Sequence, residues 1–131
     1  MNGFARRLFR VAGACLLPVL AAASSASVLS TAKPGQWEIS RSGSAPVKLC
    51  VGKIESLGQF EHRGQSCARD IIRDRDSSAT ISYSCQSGGF GESVLTLLTP
   101  RSLRVQTQGI SDGAPFNYTF QARRLGNCPG H

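Results

Sequence analysis

A single histidine within the body of the chain is the first candidate for acid–base chemistry. The chain has two histidines, His62 and the terminal His131, so a serine hydrolase with a histidine base would depend on His62. Residues 62–66 around it are polar, and no Gly-x-Ser-x-Gly motif presents a nucleophilic serine. These features favour a solvated loop histidine over a catalytic base.

The acidic residues and a glycine-rich stretch offer little further chemistry. Asp74 and Asp76 flank Arg75 at a predicted turn, where aspartate is favoured because its side chain bonds its own backbone. The stretch 88–91 (GGFG) lacks the lysine and the following helix of a phosphate-binding loop, so it predicts a hairpin turn. We therefore expect no catalytic residue and no cofactor from these motifs.

Four dispersed cysteines follow the N-terminal segment: Cys50, Cys67, Cys85 and Cys128. None belongs to a Cys-x-x-Cys pair, the spacing at which two zinc ligands converge from one turn, so no metal site is expected. In an exported protein such cysteines predict two disulfides.

The N-terminal order of residue types predicts export. Three arginines within residues 1–10 precede the uncharged apolar segment 11–23, and small residues follow. That order is typical of a secretory signal, and the apolar segment is short for a membrane span. Cleavage after Ala23 or Ala26 would leave a periplasmic or secreted protein. We divide the chain into a signal peptide, a flexible leader and one domain, at residues 1–23, 24–32 and 33–131.

Cys15 raises the question of lipidation, because it follows small residues as a lipidated cysteine would. The apolar segment continues well past Cys15, however, and lipidation would leave that segment in the mature chain. We therefore interpret Cys15 as a hydrophobic residue of the signal.

Alternating apolar residues predict about seven short strands with turn signals between them. We expect a mainly all-β fold, an antiparallel meander that forms a small sandwich or partly open barrel. One short helix or loop is expected near residues 53–61. The residues predicted to face inward are Trp37, Ile39, Leu49, Ile81, Tyr83, Leu95, Leu97, Leu103, Val105, Phe116, Tyr118 and Phe120.

A predicted hairpin gives a geometric reason to choose between the three disulfide pairings. A turn at residues 74–78, centred on Asp76, sets residues whose numbers sum to 152 opposite one another. Cys67 then faces Cys85, within disulfide reach, and Cys50 is left to pair with Cys128. A bulge in the hairpin would break this register. The rival arrangement joins Cys50 to Cys67 and Cys85 to Cys128.

The charge of the chain narrows its range of partners. The formal net charge of +7 falls to about +4 without the three signal arginines. This balance suits weak attraction to anionic surfaces and does not call for nucleic acid. The arginines Arg69, Arg73, Arg75, Arg123 and Arg124 are interpreted as solvated strand faces, with a basic patch for anionic lipid or glycan as the alternative.

Several short motifs resemble a family of exported proteobacterial proteins, domain of unknown function 3617. The similar features are the opening Pro34-Gly35-Gln36-Trp37-Glu38, a segment ending in Cys50-Val51, the hairpin cysteines, and the closing Leu125-Gly126-Asn127-Cys128. Between the tryptophan and the first cysteine this chain is shorter than many members. After that cysteine, many members carry a Thr-Pro-Glu that this chain lacks. The resemblance implies export and a β-rich fold, and it supplies no catalytic residues.

Three functional hypotheses remain open from the sequence. The first is a non-enzymatic envelope protein that binds an apolar or amphipathic ligand, in the interior if the strands close, or a protein partner. The second is a small envelope hydrolase that uses His62 or paired carboxylates. The third is a purely structural or stress-related envelope protein.

Overall fold

Seven strands and two short 3₁₀ helices account for most of the residues that the structure describes. The computed structural model describes residues 13–18 and 27–130. The first 3₁₀ helix is Ser27–Leu29, and the second is Ile54–His62. The strands are β1 (Gly35–Ser40), β2 (Val47–Val51), β3 (Cys67–Arg75), β4 (Ser78–Cys85), β5 (Phe90–Thr99), β6 (Ser102–Ser111) and β7 (Ala114–Gly126).

The strands form one open antiparallel sheet in the order β2-β1-β7-β6-β5-β4-β3. The expected mainly all-β antiparallel fold is confirmed, and all seven strands belong to one open sheet. Because its two end strands do not meet, the closed interior that could have held a ligand is not formed. In the described part of the chain no helix is long and apolar enough to cross a membrane.

The second 3₁₀ helix packs against the inner face of the sheet. Its apolar residues Ile54, Leu57 and Phe60 recur every third position, the spacing that puts side chains on one side of a 3₁₀ helix. Gly58 allows a close approach, since a Cβ there would lie 3.2 Å from a methyl of Leu95. The helical segment predicted near residues 53–61 is therefore present, with a kink at Gln59.

The burial of side chains in the core confirms which strand residues were predicted to face inward. Eight of the twelve residues predicted to face inward are buried, including Trp37, which is fully enclosed, and Phe120, which is 1% exposed. The other four, Leu49, Leu97, Phe116 and Tyr118, are partly buried. Trp37 also donates its indole N–H to the carbonyl of Lys33 at 3.1 Å, so its one polar group is satisfied.

Part of the segment 24–32, predicted to be a flexible leader, packs against the domain. Leu29 is 2% exposed and Ala32 is 5% exposed, and both belong to the core. The backbone N–H of Val28 donates to Oδ1 of Asp74 at 3.1 Å, which fixes the segment beside β3. Residues 24–26 and most of the predicted signal, including Ala23, lie outside the described residues.

The β3–β4 hairpin keeps the expected register at its cysteine end. Cys67 pairs with Cys85 and Ile71 with Ile81, as numbers summing to 152 require. The turn itself differs from the prediction, because only Asp76 and Ser77 separate the two strands. A bulge between Ile71 and Arg73 shifts the pairing by one residue and offsets the shorter turn.

The disulfides join the favoured partners. Cys67 is bonded to Cys85 across the hairpin. Cys50 of β2 is bonded to Cys128, which follows β7. The second bond therefore ties an edge strand to the C-terminal end of the domain. Cys15, in the described segment 13–18, is exposed and unbonded.

Candidate functional site

His62, expected to be a solvated loop histidine, is buried. It ends the second 3₁₀ helix and is 2% exposed. The inward-facing Tyr83 of β4 brings its hydroxyl to 2.9 Å from His62 Nδ1. Phe116 of β7 packs edge-on against the imidazole, with ring centroids 5.8 Å apart. The prediction failed because the neighbours of His62 along the chain are polar, whereas its neighbours in space are aromatic.

The tautomer of His62 follows from counting hydrogen bonds. Burial, with a contribution from the charge of Glu61, raises the pKa of Tyr83 to about 12, so the phenol keeps its proton at neutral pH. If Tyr83 donates that proton to Nδ1, one bond satisfies both groups and Nε2 carries the imidazole hydrogen. The opposite tautomer would leave the phenol hydrogen and Nε2 both unpaired. This count favours the tautomer in which His62 Nε2 is a hydrogen-bond donor.

That donor has no partner. Among the described residues, His62 Nε2 is the one buried side-chain polar atom without a hydrogen bond. It faces Gly89, where any Cβ would overlap the imidazole ring. Glycine is required at position 89 for this close approach. Buried polar atoms without partners are rare in proteins and call for an explanation.

A polar pocket of about 390 Å³ adjoins the histidine. It lies where the loop after the second 3₁₀ helix meets the β4–β5 and β6–β7 turns. Asp112 and Gly113 of the latter turn both have positive φ, 50° and 76°, which suits a tight two-residue hairpin. The residues that line this pocket, hereafter the His62 pocket, are His62, Gln65, Ser66, Gln86, Ser87, Gly88, Gly89, Asp112 and Gly113.

An apolar groove of about 600 Å³ lies on the neighbouring part of the sheet. Phe90, Ile110 and Pro115 occupy adjacent positions on β5, β6 and β7 and form a continuous apolar row. Phe90 is 50% exposed. A parallel row of polar residues, Ser82, Glu92, Gln108 and Asn117, lines the other side. We call this depression the Phe90 groove.

Two further sets of polar contacts lie along the inner face, a half-buried one around Tyr118 and a buried one around Ser93. The hydroxyl of Tyr118 donates to Oε2 of Glu61 at 2.7 Å, and the guanidinium of Arg41 lies 4.3 Å from the Tyr118 ring centroid. Burial and the hydrogen bond to Glu61 raise the pKa of Tyr118 above its usual value. Ser93 donates to the carbonyl of Gly58 at 2.5 Å and lies 2.7 Å from the Thr107 hydroxyl. Glu61, Ser93 and Thr107 were not among the site residues predicted from the sequence.

The geometry does not assemble the hydrolase considered from the sequence. His62 Nδ1 contacts a phenol where a catalytic histidine would be oriented by a carboxylate, and no described serine hydrogen-bonds Nε2. Asp74 accepts the N–H of Val28, and Asp76 has a φ of 58° in the hairpin turn. In the described residues no cluster of three or more histidine, cysteine or acidic side chains could hold a metal ion.

The predicted basic residues lie on strand surfaces. Arg69, Arg73 and Arg75 are exposed along the edge strand β3, and Arg69 donates to Oε1 of Gln59 at 3.0 Å. Arg123 is exposed and forms an ion pair with Glu38 at 3.5 Å. They do not line the His62 pocket or the Phe90 groove.

The two tyrosines predict an abnormal alkaline titration. Tyr83 and Tyr118 are the only tyrosines of the chain, and both have raised pKa values, that of Tyr83 about 12. The native protein should therefore show almost no phenolate absorbance at pH 10, where the unfolded chain is half ionised. Since native pKa values are raised, stability should be unaffected below about pH 10 and fall as the pH approaches 12.

An ultraviolet titration of native and denatured protein measures this difference. A native phenolate signal at pH 10 equal to that of the denatured chain would contradict the burial of both hydroxyls. The variant Tyr118→Phe should leave only the Tyr83 transition.

Comparison with known proteins identifies a family for this chain. A family model described as "Protein of unknown function (DUF3617)" covers residues 32–128, and it confirms the resemblance noted in the sequence. No curated protein and no solved structure matches the chain.

Proposed function

The chain belongs to the family described as "Protein of unknown function (DUF3617)", and from its geometry we propose an exported cell-envelope protein that binds a small amphipathic molecule in the Phe90 groove. The protein would bind this molecule without catalysing a reaction. A purely structural envelope protein is the alternative, and it would need no such groove.

The observation that carries the proposal is the apolar row of the groove. A phenylalanine that is half exposed forfeits hydrophobic free energy that burial would supply. Here Ile110 and Pro115 extend the exposed apolar surface across two further strands. A contiguous apolar surface with a polar border is typical of a binding site.

The shape and border of the groove favour a small molecule. Its volume of about 600 Å³ lies within the range of small-molecule sites. Among its lining residues Glu92 is the one ionisable group, beside the amides of Gln108 and Asn117. An apolar chain would lie along Phe90, and a neutral or cationic polar end would accept or donate hydrogen bonds at this border. An anionic end would be repelled by Glu92.

Export is supported by the N-terminal residues and by the disulfides. Residues 1–23 have the basic, apolar and small-residue order of a secretory signal. Disulfides persist mainly in oxidising compartments, and the domain has two. A domain of this size buries only a modest core, so such cross-links contribute substantially to its stability.

Binding to the Phe90 groove is testable with an environment-sensitive apolar dye such as N-phenyl-1-naphthylamine. The variant Phe90→Ser should weaken dye binding at least about tenfold, because it removes an apolar contact surface. Leu98→Ser is the matched control, since Leu98 is 48% exposed and does not line the groove.

Fluorescence titration measures both variants against the wild type. Equal dye affinity in the wild type and in Phe90→Ser would exclude the groove as the binding site. Loss of binding in Leu98→Ser alone would place the site elsewhere on the sheet.

A further inference from the structure

We propose that the His62 pocket is a second binding site, for an uncharged molecule rich in hydroxyl groups, such as a single sugar ring. In this site His62 Nε2 donates a hydrogen bond to a ligand oxygen. The inference does not depend on the Phe90 groove, because the two depressions share no lining residue.

The unpaired donor is the first observation that points to a ligand. His62 is 2% exposed, its Nδ1 is bonded to Tyr83, and its Nε2 is buried without a partner. Nε2 faces Gly89, which forms part of the pocket wall. A buried donor is costly to leave unpaired, and an oxygen of a bound ligand would supply the missing acceptor.

The other residues that line the pocket determine which class of ligand it would bind. Asp112 supplies a carboxylate, and Ser66 and Gln86 supply groups that donate and accept. No lysine or arginine lines the pocket, so an anion would meet Asp112 without a compensating cation. An ammonium ion would suit Asp112 but offers no acceptor to His62. A hydroxyl both donates and accepts, and therefore satisfies both residues.

The glycine segment covers His62 Nε2, so the proposed bond requires this segment to move outward when a ligand binds. Gly88 and Gly89 have no side chains, and Gly88 has a φ of 98°. The segment is held to the end of β4 by two backbone bonds with Cys85, of 2.7 and 3.0 Å. A small outward shift of this segment would expose Nε2 to the pocket, while the disulfide keeps Cys85 in place.

Imidazole-detected NMR on protein labelled with ¹⁵N-histidine tests the proposal. The chain has two histidines, so the signals of His62 can be separated from those of His131 by the variant His131→Gln. The free protein should show His62 with its hydrogen on Nε2. D-glucose or N-acetyl-D-glucosamine should shift the His62 signals, whereas sodium acetate and tetramethylammonium chloride should not.

Two aspartate variants provide the matched comparison. Asp112→Asn removes the charge from the pocket and should weaken sugar binding about tenfold. Asp76→Asn changes the other left-handed turn aspartate, with a φ of 58°, outside the pocket, and should leave binding unchanged. Both asparagines tolerate the left-handed backbone, so both variants should fold.

Three results would overturn the site. They are a hydrogen on Nδ1 of His62, no shift with either sugar, and equal sugar affinity in wild type and Asp112→Asn. A stronger response to acetate than to sugar would overturn the ligand class. Sugar binding that persists while the apolar dye fails to bind would reject the proposed function and leave this inference standing.

Discussion

Phe120→Ala should destabilise the domain by about 3–5 kcal/mol, the usual cost of removing a buried aromatic ring. Phe120 is 1% exposed and packs against Phe60, with ring centroids 5.0 Å apart. A loss of that size is a large share of the 5–15 kcal/mol of stability that small domains typically have. Phe90→Ala should change stability by about 1 kcal/mol or less, since Phe90 is half exposed.

Denaturant unfolding of the two variants, with both disulfides oxidised, makes the comparison. The same chemical change is applied at both positions, so their difference reports burial alone. A destabilisation by Phe90→Ala as large as that by Phe120→Ala would contradict the assignment of Phe120 to the core and of Phe90 to an exposed groove.

Removal of the Cys50–Cys128 disulfide should be the second large effect. The bond joins residues 78 apart in sequence, and the chain-entropy model assigns it about 4.5 kcal/mol. The Cys67–Cys85 bond spans 18 residues, for which the same model gives about 3 kcal/mol. Replacing both cysteines of a pair by serine avoids an unpaired thiol. The double variant that lacks the long-range bond should therefore unfold at the lower denaturant concentration.

Before the variants are made, non-reducing peptide mapping of the wild-type protein should establish which cysteines are linked. A linked peptide containing Cys50 and Cys67 would contradict the pairing on which the two variants are based. If removal of the Cys67–Cys85 bond cost more stability than removal of the Cys50–Cys128 bond, contacts in the native state, and not loop closure, would dominate the contribution of the hairpin disulfide.

Much of the fold could be predicted because the inner face of the sheet follows a period of two. Trp37 and Ile39 on β1 and Leu103 and Val105 on β6 are all buried, and the residues between them are more exposed. A sheet with one buried face fixes its own register in this way. The alternation does not say whether the end strands meet, and this is why both a sandwich and a barrel were compatible with it.

The surroundings of His62 could not be predicted, since they depend on contacts between distant elements. Tyr83 is 21 residues away from His62 along the chain, and Phe116 is further. Gly89 was interpreted as a turn residue, whereas its lack of a side chain makes room for the imidazole. Similarly, Leu29 lies in a stretch without periodicity and is buried because the first 3₁₀ helix packs beside β3.

The Phe90 groove left only a faint signal in the sequence. Phe90 follows a glycine-rich turn and is the first residue of β5. The buried residues of this strand are Gly91, Ser93 and Leu95, so Phe90 lies on the opposite, outer face. The one indication of a binding surface in the sequence was a phenylalanine on the face of β5 that otherwise carries polar residues. Its association with Ile110 and Pro115 depends on the pairing of three strands.

Native mass spectrometry of the protein purified gently from its own cells is the most direct test of a ligand-binding envelope protein. We expect a chain that lacks its first 23 to 26 residues, as the signal pattern requires. We also expect two disulfides and an added mass from a small amphipathic molecule that is absent from Phe90→Ser. A full-length chain, or wild-type and Phe90→Ser proteins that both carry no added mass, would contradict the proposed function.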